Sequence, residues 1–232
     1  MGDWANPYTT MSYAAEAQIV REIGKFLVDG SLYQGSKPVM WSPVEKTALA
    51  EAEIEYHDHT STTIWVRFPV VESGLEELRG ADVLIWTTTP WTIPGNRCIC
   101  YGEEIAYCLV EVTEVAQDSL AKPGDRLVVA SALMGAIAAD SGIAAWRTVR
   151  EDIDGAVLAS TVCAHPLRGG GYDFAVPLIP SNHVTTEQGS GFVHTAPGHG
   201  ADDYDAVMAH NARLEQAGEG AAAIEVPQTV GG

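Results

Sequence analysis

The sequence holds 232 residues, 46% of them hydrophobic and 19% charged, which is enough apolar material for the core of one large domain. No apolar run approaches the roughly 18 residues that a membrane-spanning helix needs, and no basic segment followed by an apolar one opens the chain, so a cytoplasmic protein without a membrane partner is expected. Thirteen Lys and Arg against 31 Asp and Glu give a formal net charge of −18, which argues against a nucleic-acid-docking module, since such modules carry a basic stripe.

In chain order, residues 14–29 predict an amphipathic helix with Ile19, Ile23, Phe26 and Leu27 on one stripe and Gly30 as its stop. Alternation through Thr63, Ile64, Trp65, Val66, Arg67 and Phe68 predicts a half-buried strand, and a short helix over 74–78 leads to a second strand at 81–85. Residues 97–101 and 106–112 predict two more strands. A turn at Lys122-Pro123-Gly124-Asp125 precedes a strand at 127–130 and a helix at 132–139. Further strands are expected at 146–149, 156–162 and 175–179. Cys98, Cys100, Cys108 and Cys163 form no C-x-x-C pair, and Cys98 and Cys100 fall on one strand face, so reduced, partly buried thiols are expected. Many short, irregularly spaced strands with a few small helices predict an α+β fold in which a mixed sheet curls into a barrel-like body with peripheral short helices.

Two stretches carry the chemistry. Residues 86–96 read WTTTPWTIPGN. Pro90 lacks an N–H for a sheet ladder, and Pro94-Gly95 adds a turn signal, so Thr87, Thr88 and Thr89 sit where a buried strand meets a loop. Hydroxyls donate and accept without charge, which suits holding a water beside a neutral ester or amide. Threonine is also simply a good strand residue. Strand alternation sends at most two of three consecutive side chains to one face, unless the strand breaks near Pro90. The second stretch, residues 189–204, reads GSGFVHTAPGHGADDY. Phe192-Val193 predicts a strand delivering His194 and Thr195 to a Pro-Gly loop. A helix follows from about Ala201, with Tyr204, Val207 and Met208 on its inner stripe. Asp202 and Asp203 fall in its first turn, where the helix dipole alone stabilises an exposed acid by about 0.3–1 kcal/mol.

Together the two stretches resemble the editing domain inserted into the catalytic domain of isoleucyl-tRNA synthetases. The leucyl and valyl relatives carry Thr-Thr-Arg-Pro and then an acid where this chain has Thr88-Thr89-Pro90-Trp91, so TTTPWT followed by Pro-Gly-Asn points to the isoleucyl branch. The resemblance runs from Asp3-Trp4 through SKPVMW and KTALAEAEIEY (residues 46–56) to about His210. It implies a stem over 1–40 at the junction with the catalytic domain, an editing domain over 41–212, and a tail over 213–232 leading back. The ATP-chemistry signatures of the family, a HIGH-type motif and a KMSKS-type loop, are absent, so a fragment that does not activate amino acids is expected. Related synthetases often carry a C-P-x-C zinc knuckle where this chain has Ser42, Pro43, Val44 and Glu45; without two thiolates no metal or other cofactor is expected there.

The resemblance also implies roles. Asp203 captures the α-ammonium of the substrate, His194 contacts the terminal ribose, and Thr87, Thr88, Thr89 and Thr92 line the floor. Asn96 influences substrate choice and Trp86 forms a wall. His199 is left between shaping the loop and lining the site. The implied reaction is hydrolysis of valyl-tRNA(Ile), with valyl-adenylate as a second substrate. The partners are the acylated 3′ end of the tRNA and the remainder of the synthetase. One methylene separates valine from isoleucine and is worth only about 1–3 kcal/mol in an apolar pocket, a limit for which isoleucyl-tRNA synthetases are the usual example. Other readings stand beside this one. A metallohydrolase could use His194, His199 and Asp203 on zinc. A phosphate loop at GSGFVH lacks the third glycine and the lysine that such loops need.

Overall fold

Branched and aromatic side chains in short alternating runs build the strands of this protein, whose computed structural model describes residues 3–119 and 121–229. Residues 1, 2 and 120, and the last three of the expected C-terminal tail, lie outside the described residues. Two compact units result, Met1–Lys37 and Pro38–Gly232. No helix among the described residues is long and apolar enough to cross a membrane.

The first unit is built on helix α1 (Tyr13–Val28). The Ser12 hydroxyl caps it by accepting the Ala15 N–H, and Gly30 follows it at φ +84. The expected stripe of Ile19, Ile23, Phe26 and Leu27 forms, but all four remain exposed and α1 has no buried residue.

In the second unit, β1 (Trp41–Ser42) and β2 (Thr47–Ala48) make a separate hairpin. Its turn is closed by the Ser42 hydroxyl donating to the Glu45 carboxylate, so a hydroxyl and an acid stand where a knuckle would need thiolates. The main sheet contains β3 (Ile64–Glu72), β4 (Asp82–Thr87), β5 (Cys98–Tyr101), β6 (Tyr107–Val115), β7 (Arg126–Ala130), β8 (Ile143–Ile153), β9 (Val162–Ala164), β10 (Ala175–Pro180) and β11 (Phe192–Thr195). Its nine strands run in the order β11-β5-β10-β9-β3-β4-β7-β6-β8. The pairs β10/β5 and β4/β7 are parallel and the others antiparallel, so the sheet is mixed as expected. Residues 155–158 correct one expectation: they form a helical turn, α3 (Gly155–Leu158), before β9. The Asp154 carboxylate caps that turn by accepting the Ala156 N–H, and an Asx cap overrides the strand preference of the residues after it.

The sheet curls without closing into a complete barrel. The Ala130 N–H at the end of β7 donates to the Ser190 carbonyl just before β11 (2.8 Å). The Tyr107 hydroxyl on β6 accepts the Gly102 N–H (2.9 Å) and donates to the Gly191 carbonyl (2.8 Å). Gly191 makes this approach possible, since its φ is +80 and a Cβ there would come to 2.3 Å of the Ala130 Cβ. Alternation along β5 then serves two cores. Ile99 and Tyr101 face the curled interior with Phe68, Leu109 and Phe192, while Cys98 and Cys100 face a smaller cluster with Ile179, Ala206 and Val207. That second cluster seats α4 (Ala201–Gln216) on the sheet, and its cysteines are free and fully buried rather than partly so.

Tyr107 therefore holds the curl. Tyr107→Phe strands a buried donor and acceptor and is expected to cost about 1–3 kcal/mol in urea unfolding. Tyr101→Phe is the control, because the buried Tyr101 hydroxyl has no partner among the described residues and its removal should be close to neutral. Equal losses in the two variants would remove the hydroxyl bridge as the cause.

Candidate active site

A cleft of about 550 Å³ opens where the end of β4, the turn after it, the end of β11 and the start of α4 converge. Both sequence stretches line it, although they are about a hundred residues apart. The strand break is what gathers the threonines. β4 ends at Thr87, Thr89 leaves strand geometry at φ −126, ψ 64, and residues Pro90–Gly95 wind into a 3₁₀ turn. Because alternation stops there, Thr87, Thr88 and Thr89 all line the cleft, together with Trp86 and Thr92. The break comes directly after Thr87, ahead of Pro90. The Thr89 N–H turns back to the Thr87 Oγ1 (3.1 Å), and the Ser61 hydroxyl holds the Thr88 carbonyl (2.6 Å).

His194 is the penultimate residue of β11, 8% exposed, with both ring nitrogens engaged. The Asn96 Nδ2 lies 2.8 Å from the Cys98 carbonyl, which only an N–H can satisfy, so the amide orientation is fixed. The same Nδ2 lies 2.8 Å from His194 Nδ1, which must then be the acceptor. The proton therefore sits on Nε2, 2.9 Å from the Thr92 Oγ1, whose own hydrogen goes to the Thr89 carbonyl at 2.9 Å. Burial, with His165 and His199 nearby, pulls the His194 imidazole down to about 4, so it is neutral at physiological pH. It presents an N–H rather than a free base. Asn96, fully buried, stands behind His194 and does not line the cleft.

Asp203 and Asp202 separate by helical phase. The inward side of α4 carries Asp203, Ala206, Val207 and His210 at i, i+3, i+4 and i+7, while Asp202 is exposed. Met208, expected on the inner stripe, is 43% exposed because that phase turns it outward. Asp203 Oδ2 accepts the Ala196 N–H (2.8 Å), and burial pushes its carboxyl above the ordinary range, against the pull of that N–H and of His183. His199 lines the cleft and packs against Gly95, where a Cβ would meet its ring at 2.7 Å.

His183, Thr185 and Gln188, which did not stand out in the sequence, also line the cleft, as does Trp91, which the sequence marks only as part of the branch signature. His183 and its neighbours arrive through the parallel pairing of β10 with β5, which leaves no local mark. Trp91 sits inside the motif itself, 64% exposed at the cleft. Among the described residues that line the cleft there is no lysine or arginine. No group of three or more His, Cys, Asp or Glu suited to a metal occurs among the described residues. His194 in particular has no lone pair left for one.

Comparison with known proteins gives the lineage. The family model for class I tRNA synthetases (I, L, M and V) matches residues 1–216. The chain belongs to the class I tRNA synthetases. The isoleucine–tRNA ligase of Bradyrhizobium diazoefficiens is 54% identical over 220 residues, covering 94% of this chain and 22% of its own length. That of Rhodopseudomonas palustris is 53% identical over 232 residues, covering 99% of this chain and 23% of its own. This synthetase segment thus spans less than a quarter of the length of these relatives. The solved editing domain of the P. knowlesi cytosolic leucyl-tRNA synthetase has a TM-score of 0.53 over 68% of this chain and 64% of that one, at 12% identity. That likeness is one of fold.

The two pKa displacements act on stability with opposite signs. His194 binds a proton near 6.5 when unfolded but near 4 when folded. The unfolded state therefore binds more protons in between, and stability falls as pH drops through that window. Asp203 is raised, so the folded state binds its proton more readily, and this offsets part of the loss only at the acid end. The His194 contribution is on the order of 3 kcal/mol across the window. His194→Gln should flatten the fall in melting temperature between pH 6.5 and 4; an unchanged slope would assign the acid sensitivity elsewhere.

Proposed function

We propose that this segment is a hydrolytic editing domain, cleaving the ester of valyl-tRNA(Ile) and sparing isoleucyl-tRNA(Ile). Residues 1–40 and 213–232 then join it to the remainder of the synthetase. The observation that carries the reading is Asp203, a largely buried carboxylate that accepts one backbone N–H and lines a cleft without a lysine or arginine among its described residues. A partly dry anion with unused acceptor capacity favours a cation, and the α-ammonium of an aminoacyl ester supplies one. In this reading the neutral His194 N–H holds the Thr92 hydroxyl, whose remaining lone pair accepts from a hydroxyl of the terminal ribose. In the same reading the hydroxyls of Thr87 and Thr89, linked at 3.3 Å, hold the attacking water. An aminoacyl ester is activated already, so positioning and polar stabilisation of the developing oxyanion suffice without a covalent nucleophile.

The same charge pattern favours ester over adenylate. Valyl-adenylate carries a phosphate beside the scissile carbonyl, and desolvating that anion near Asp203 with no lining cation is costly. The ester of a terminal ribose places no phosphate there.

Asp203→Ala is expected to weaken a non-hydrolysable valyl-adenosine analogue by roughly ten- to two-hundred-fold, the value of a lost charge-assisted hydrogen bond. Hydrolysis of the valyl ester should fall at least as far. The des-amino analogue should bind wild type and Asp203→Ala about equally, and a matching loss there would take the ammonium role away from Asp203. Equal hydrolysis of valyl and isoleucyl esters by wild type would remove the selectivity, and hydrolysis of neither would remove the function.

A further inference from the structure

The loop from Ala196 to Gly200, which joins β11 to α4, is held from two sides. From α4 the Asp203 carboxylate accepts the Ala196 N–H. From the other side comes the segment 224–229, part of the tail that the resemblance implies over 213–232. Asn211 on α4 fixes the root of this segment with a reciprocal pair: the Ile224 N–H donates to Asn211 Oδ1, and Asn211 Nδ2 donates to the Ile224 carbonyl, both at 2.8 Å. Ile224 and Val226 then pack on the small core that contains Cys98, Cys100 and Val207. At the far end the Thr229 hydroxyl donates to the Gly198 carbonyl at 3.3 Å. A Cβ on Gly198 would come to 2.8 Å of the Pro227 carbonyl oxygen, so a glycine is what lets the segment lie against the loop.

We propose that residues 224–229 are a strap that positions Asp203 and His199 by clamping the Ala196–Gly200 loop, which makes the tail a working part of the cleft. A loop reading Ala-Pro-Gly-His-Gly has two glycines and a high entropy of ordering. Its local hydrogen bonds are the His199 and Gly200 N–H groups returning to the Ala196 carbonyl, at 2.8 and 3.4 Å. Without the strap, the Ala196 N–H drifts from Asp203 and the carboxylate loses the donor that fixes its direction.

The catalytic arm of the test rests on the hydrolysis proposed above; the backbone arm does not. Asn211→Ala releases the strap at its root and Gly198→Ala lifts it at its tip. In both variants amide hydrogen exchange at Ala196, Gly198, His199 and Gly200 should quicken roughly tenfold, the factor carried by one or two net hydrogen bonds, while β5 exchanges as in wild type. Both should weaken the amino analogue several-fold and spare the des-amino one, as an attenuated form of Asp203→Ala. Their effects should not add, because each undoes the same clamp. Unchanged exchange at 196–200, or equal weakening of the two analogues, overturns the proposal. If Asn211→Ala does not fold, Gly198→Ala, which lies outside α4 and the core, carries the test alone. If wild type binds neither analogue, the editing reading fails and the exchange measurement alone decides the strap.

Discussion

The hydrogen bonds that run from Asn96 through His194 and Thr92 to the Thr89 carbonyl join the turn after β4 to the end of β11, and they set the chemical state of the cleft. Each link determines the next. The Cys98 carbonyl orients the Asn96 amide, the amide makes Nδ1 an acceptor, the proton is left on Nε2, and Thr92 must accept it while donating onward. The antiparallel register that places His194 opposite Ile99 and Thr195 opposite Cys98 brings the ring over Asn96. His165 supports the same turn from behind, its Nε2 donating to the Ile93 carbonyl at 3.0 Å while Nδ1 accepts the Leu167 N–H. This face of the cleft is thus an extension of sheet pairing, with the turn packed onto it.

This arrangement also answers the acidity of the chain. A net charge of −18 is hostile to a tRNA as a whole. In the proposed reading the cleft accepts only an end group, and what it presents there includes threonine hydroxyls, the neutral His194 imidazole and the Asp203 carboxylate. Affinity for a phosphate backbone would have to come from surfaces outside this segment. On that proposal such a division leaves the segment free to be acidic, because like-charge repulsion of the tRNA body costs nothing in discrimination between two aminoacyl groups on the same tRNA.

Much of the fold and of the site was legible in the sequence, for local reasons. Branched residues at 81–85, the proline after the threonines and the Pro-Gly loop after His194 are punctuation with a physical mechanism, and β4, the 3₁₀ turn and α4 stand where they predicted. What was not legible depends on pairing between distant strands. The parallel partnership of β10 and β5 brings His183 to the cleft, and no periodicity announces a parallel neighbour. Residues 156–162 read as strand because their composition is strand-like, and one capping bond from Asp154 outweighed that preference. Trp146–Val149 was a fragment of the eleven-residue edge strand β8, whose exposed face carries no apolar alternation to read.

The burial of Asp203 is where stability and chemistry meet. A carboxylate partly withdrawn from water, compensated by a single backbone N–H, is a cost that the folded chain carries when the cleft is empty, and the upward displacement of its pKa expresses that cost. Placing the acid one position earlier, at Asp202, would relieve the cost, since that side chain is exposed and also enjoys the helix N-terminus. The phase of α4 instead turns Asp203 inward above Val207, which is fully buried. On the proposal that Asp203 takes an ammonium, the arriving cation restores in one contact the solvation that folding removed, and part of the binding free energy is the relief of a strain already stored in the site. The same arithmetic disfavours any ligand that brings a second anion. Under the same proposal, a site that is destabilised when empty and neutral when filled by one cation selects for charge before it selects for size, and the exclusion of a larger side chain acts on molecules already sorted in that way.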